Sequence, residues 1–178
     1  TTLFRSLAGS SYGGCVAYVG ADSSLIVVLV KGNLIQELKQ NIPNLNHVCV
    51  QGANIYAMTS EGEIGHFRAG YGLTRLSVGR AEVRSEIAPD FYFTTLAVSS
   101  GSIAASAISK STKKLIIALL RPRSFQIMDM KVFNDAKIFP INQLQMVRAG
   151  ALCYIVATEY YERVTTLVVV KGKLSSVD

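Results

Sequence analysis

Apolar residues in this chain come in short runs that carry no helical period. Leu25 to Val30 and Leu115 to Leu120 are each six apolar residues without a break. Gly, Ser and Asn separate such runs. No stretch of about 11 residues places apolar positions at i, i+3, i+4 and i+7 between caps. Short β-branched and aromatic runs bounded by turn formers predict strands instead. Their near-continuous apolar character predicts burial on both faces, as between stacked sheets.

The strands group into repeats. Leu3 to Gly9 aligns without a gap on Leu144 to Gly150, and Val30-Lys31-Gly32-Asn33-Leu34 recurs as Val170-Lys171-Gly172-Lys173-Leu174. Gly9, Gly52, Gly101 and Gly150 lie 43, 49 and 49 residues apart. Periods of about 40–50 residues point to propeller blades. Each unit reads as four strands, with units at about 1–46, 47–94, 95–143 and 144–178 of one domain covering residues 1–178. The expected strands of unit three are Thr95–Val98, Ile103–Ser109, Lys114–Leu120 and Phe125–Met130. Unit four is expected to end on a short polar strand, Lys173–Val177. Gly32, Gly62 and Gly172 fall where a hairpin needs positive φ. Arg80–Phe93 and Asn134–Asn142 read as longer connections between units.

This pattern resembles the WD40-like β-propellers, whose four-stranded blades follow one another in sequence. Neither a Trp-Asp blade ending nor a Gly-His opening is present, so the likeness rests on unit length, strand count and the small residue after the first strand. It implies an all-β chain of about four blades. Propellers close with 4–8 blades, and the polar end of unit four suggests an incomplete ring. The alternative is a β-sandwich. Val98 and Val147 are expected to be equivalent buried positions, as are Ala118 and Leu167.

Composition narrows the class. Hydrophobic residues make up 49% and charged residues 17%, which excludes disorder and a coiled coil. No apolar run approaches the roughly 20 residues of a membrane-spanning helix. Cys15, Cys49 and Cys153 are odd in number and set among aliphatic residues, and no Asn-x-Ser/Thr sequon occurs. An intracellular location, cytoplasmic or nuclear, is expected.

Candidate chemistry is sparse. His47 and His66 with the three cysteines offer no zinc spacing. No nucleophile elbow or P-loop occurs. No catalytic residue, metal or cofactor is therefore expected. The net charge of +6 is regional: residues 75–131 hold nine Lys/Arg against four Asp/Glu. Candidate binding residues are Arg75, Arg80 and Arg84 near the first long connection, and Lys110, Lys113 and Lys114 in one turn of unit three. Arg121 and Arg123 belong to its next turn, and Tyr160 and Tyr161 to the matching turn of unit four. Successive turns of a blade alternate between its ends, so the lysine and arginine turns should lie on opposite sides. The expected function is a non-catalytic scaffold for protein partners, with the remaining blades supplied by residues beyond 178 or by such a partner. A nucleic-acid or phosphate-binding module using residues 75–131 is the alternative. An enzyme with a central-channel site shared with other residues is a third reading.

Overall fold

The computed structural model describes residues 4–9, 14–84, 86, 90–134, 141–159 and 164–177. Every regular element among them is a strand, and the strands form four antiparallel four-stranded sheets, each in chain order. The chain divides into two compact units, residues 1–80 and 81–178.

In the first unit, sheet 1 holds β1 (Phe4–Gly9), β2 (Cys15–Gly20), β3 (Ser24–Lys31) and β4 (Leu34–Asn41). Sheet 2 holds β5 (Leu45–Gln51), β6 (Asn54–Thr59), β7 (Glu63–Ala69) and β8 (Leu73–Arg80). Strand alternation decides what packs. Ala17, Val19, Leu25, Val27 and Leu29 project from one face of sheet 1 onto Val48, Ile55, Ala57 and Phe67 of sheet 2. Gly65 is a packing glycine: a Cβ there would lie 2.7 Å from Cε2 of Phe67.

In the second unit, sheet 3 holds β9 (Phe91–Ser99), β10 (Ser102–Ser109), β11 (Lys114–Leu120) and β12 (Ile127–Asn134). Sheet 4 holds β13 (Ile141–Ala149), β14 (Leu152–Glu159), β15 (Val164–Val170) and β16 (Lys173–Ser176). Ala97, Ala104, Leu115, Ile117 and Leu119 of sheet 3 pack on Leu144, Ile155, Ala157, Leu167 and Leu174 of sheet 4. Every residue of β10 and β11 after the first is buried, as continuous apolar runs require.

Strand count and order follow the expectation, while several boundaries differ. Phe91–Phe93 belongs to β9 rather than to the connection, and β12 begins at Ile127, leaving Phe125 in the preceding loop. The first hairpins of sheets 3 and 4 also break the 49-residue match. Ser99 pairs Ser102 and Ala149 pairs Leu152, so the structural offset there is 50 residues. Val98 pairs Ile103 whereas Val147 pairs Tyr154, which puts the two valines on opposite faces. Val98 is half-buried and Val147 is 48% exposed, so the expected buried pair is corrected. Ala118 opposes Ala105, and Leu167, 49 residues on, opposes Ile155, 50 residues on, so these two are equivalent, and both are fully buried as expected.

The glycines follow the same slip. Gly52 and Gly150 take the first loop position of their hairpins, with φ of 61° and 63°. In sheet 3 that position is Ser100, at φ 44°, and Gly101 comes second. Gly9 is the last residue of β1 rather than part of a turn.

Candidate binding surfaces

The lysine turn joins β10 to β11 and is built around a carboxylate. Asp90 accepts hydrogen bonds from the Ser109 hydroxyl, from Ser111 Oγ at 2.6 Å and from the Ser111 N–H at 3.1 Å. The Thr112 hydroxyl donates to Ser109 Oγ at 2.7 Å. These donors, Ser109 first, hold the Asp90 carboxyl below its usual range. Lys110 lies over the Tyr92 ring, 5.4 Å from its centroid, a cation–π arrangement. Lys110 and Lys113 are exposed and Lys114 is half-buried. The Ser109 and Ser111 hydroxyls and the Ser111 N–H are thus engaged by Asp90, and the Thr112 donors by Ser109.

Arg121 and Arg123 occupy the loop at the other end of β11, about 20 Å away along a strand of this length. The two basic groups are separate, as turn alternation requires. Within the loop the Phe125 N–H donates to the Arg121 carbonyl at 2.9 Å, and the Arg121 N–H donates to the Gln126 carbonyl at 2.8 Å. Phe125 is fully buried while Arg121 to Ser124 are exposed.

The other arginines are not gathered into one group. Arg75 lies on β8 and, with Glu63, Gly65, Phe67, Val78, Gln40 and Pro43, lines a cleft of about 200 Å³ in the first unit. Arg80 ends β8 opposite Glu63. Arg84 is exposed beyond that strand. Tyr160 and Tyr161 lie outside the described residues.

Sheet 2 carries a polar row that strand pairing assembles: Cys49 opposite Tyr56, Tyr56 opposite His66, and His66 opposite Ser77. The Tyr56 and His66 rings stack with centroids 4.5 Å apart and planes 8° from parallel. His66 Nε2 lies 2.9 Å from Asn54 Oδ1. Burial first, and Arg68 second, lowers the His66 pKa from 6.5. Cys15 and Cys153 are buried thiols whose pKa values burial raises. Among the described residues, no group of three His, Cys, Asp or Glu side chains is placed to hold a metal.

Two features escaped the sequence. Asp90 acts on Ser109 and Ser111 from across a strand, and nothing local marks such a pair. Phe125 looks like the start of an apolar strand and is instead the buried anchor of a loop.

Both units also expose an apolar sheet face. On sheet 1, Val16, Tyr18, Ile26, Val28, Val30 and Ile35 point away from the core of that unit, with Ile35 71% exposed. On sheet 4, Val147, Tyr154, Val156, Val164, Val168 and Val170 do so, with Val164 59% exposed. The same pairing positions in sheet 3 are buried under sheet 4. Leu115, the counterpart of Val164, is 2% exposed.

No family model matches the chain, and no curated protein does. Solved structures match its fold. The β-propeller domain of Cps50 (Swd1) from Myceliophteria thermophila superposes with a TM-score of 0.64 at 13% identity, over 98% of this chain and 55% of that one. A candidate 6-phosphogluconolactonase from Bacteroides uniformis gives 0.65 at 13% identity, over 98% and 53%. The WD40 domain of SCAP from fission yeast gives 0.57 at 11% identity, over 96% and 43%. The chain spans about half the length of these proteins. No described helix is long and apolar enough to cross a membrane. Four sequential antiparallel sheets together with these likenesses identify the fold as that of a β-propeller, present here as four blades and similar to WD40 domains among others.

Proposed function

We propose that the chain is part of a propeller scaffold, a single domain over residues 1–178, that works without catalysis by holding protein partners inside the cell. The observation that carries this reading is the pair of exposed apolar faces on sheets 1 and 4. Large contiguous exposed apolar surface marks an interaction site. Sheet 4 repeats on its open face the positions that sheet 3 buries beneath a following blade. The partner proposed is therefore further β-blades, either from the same protein or from another. Likeness to WD40 domains supports the scaffold reading by analogy, since fold alone does not set function. The intracellular location rests on three free cysteines in strands.

The test is light scattering on the chain alone and after co-expression with a polypeptide that supplies further blades. Alone, the chain should be oligomeric or aggregation-prone, and co-expression should give a defined soluble complex. A thermally stable monomer that takes up no added blade would overturn the reading.

Nucleic-acid or phosphate binding through residues 75–131 is the second reading. It draws support from the exposed Lys110, Lys113, Arg121 and Arg123. It gains none from Ser109 and Ser111 of the lysine turn, whose donors Asp90 already engages.

A further inference from the structure

We infer that one end of the second unit is a docking surface for an acidic protein segment. The inference deepens the scaffold reading and rests on it. Two loops build the surface. The first is Arg121–Gln126, between β11 and β12. Arg123 has φ 70° and Phe125 φ 59°, left-handed values uncommon for large side chains. Such strain persists where the surroundings over-determine it, and here the full burial of Phe125 does so. Pro122 fixes a further dihedral between the two arginines. The loop thus holds two guanidinium groups at solvent on a stiff frame.

The second loop is the β15–β16 hairpin, where Lys171 and Gly172 have φ of 50° and 74°. It is tied to the first through β12. The Leu174 N–H donates to Asp129 Oδ2 at 2.7 Å, and a Cβ on Gly172 would lie 3.2 Å from Met128 Cε. Met128 follows the arginine loop by two residues. Lys171 and Lys173 are exposed, as is Arg148 at the same end of β13.

Positive charge predominates. Arg121, Arg123, Arg148, Lys171 and Lys173 all lie at this end of the two sheets, and Asp129 is the acidic group found there among the described residues. One oxygen of its carboxylate accepts from the Leu174 N–H. Planar guanidinium forks suit carboxylates, which accept from them in bidentate fashion. Single-stranded nucleic acid, whose phosphates suit the same forks, gains further affinity from aromatic platforms for its bases. Phe125, the aromatic of this loop, is buried and offers none. The chemistry therefore favours a carboxylate-rich peptide over a nucleic acid.

The experiment titrates the whole chain with a fluorescein-labelled peptide of alternating Glu and Gly. A single-stranded oligonucleotide of equal charge is titrated in parallel. Peptide binding should weaken with added salt. The variant Arg121→Gln, Arg123→Gln, Lys171→Gln, Lys173→Gln should lose about tenfold or more in affinity, with reduced salt dependence. Circular dichroism of that variant should be unchanged, since all four side chains are exposed. Lys110→Gln, Lys113→Gln, Lys114→Gln, at the far end of β11, should leave peptide binding intact. Equal peptide affinity for the rim variant and the parent overturns the inference, as does tighter binding of the oligonucleotide. Capture of added blades without peptide binding would sink this inference and leave the scaffold reading standing. Peptide binding by a chain that takes up no blade would do the reverse.

Discussion

His66 shows how one residue reports on its sheet. It stacks on Tyr56, meets Asn54 and is half-buried, and its pKa is lowered from 6.5 by that burial and by Arg68. A histidine whose folded pKa lies below its unfolded value binds its proton less readily in the native state. Its contribution to stability is complete above about pH 6.5 and is lost as pH falls from there through the folded value. The unfolding midpoint in denaturant should therefore decline across that window, and His66→Gln should flatten this part of the profile. An NMR titration placing the His66 midpoint above 6.5 would reverse the sign and refute the assignment.

At the scale of the element, burial decides which substitutions matter. Leu167 is fully buried on β15 between its partner strands and the facing sheet 3. Truncation of such a side chain to Ala costs about 2–5 kcal/mol. Lys113 sits exposed in a turn, and Lys113→Ala should change stability by no more than about 0.5 kcal/mol. Urea denaturation of the two variants measures both, and equal midpoints would show the packing of β15 to be misassigned.

For the whole molecule, the open sheet faces set the behaviour. Ile35 and Val164 are the most exposed apolar residues of their faces, and neither belongs to the core of its unit. Ile35→Lys with Val164→Lys should reduce self-association in light scattering. The cost in folding stability should stay within about 0.5 kcal/mol for each surface change. If self-association is unchanged, the apolar faces are not its cause.

The sequence by itself determined the class and count of elements. Short apolar runs such as Leu115–Leu120, bounded by turn formers and lacking a helical period, predict buried strands, and Gly52, Gly101 and Gly150 mark hairpins, because local sterics set both. The separation of the lysine and arginine turns was legible for the same reason: alternation along a strand is a local rule. Register was not. A one-residue change in the hairpin at Gly101 relative to Gly150 moved Val98 and Val147 to opposite faces, and only cross-strand pairing records it. Tertiary structure also set Asp90 against Ser109 and Ser111, buried Phe125, and brought Gly172 beside Met128. Those contacts join residues from different strands, whose meeting depends on the packing of sheets rather than on any nearby residue.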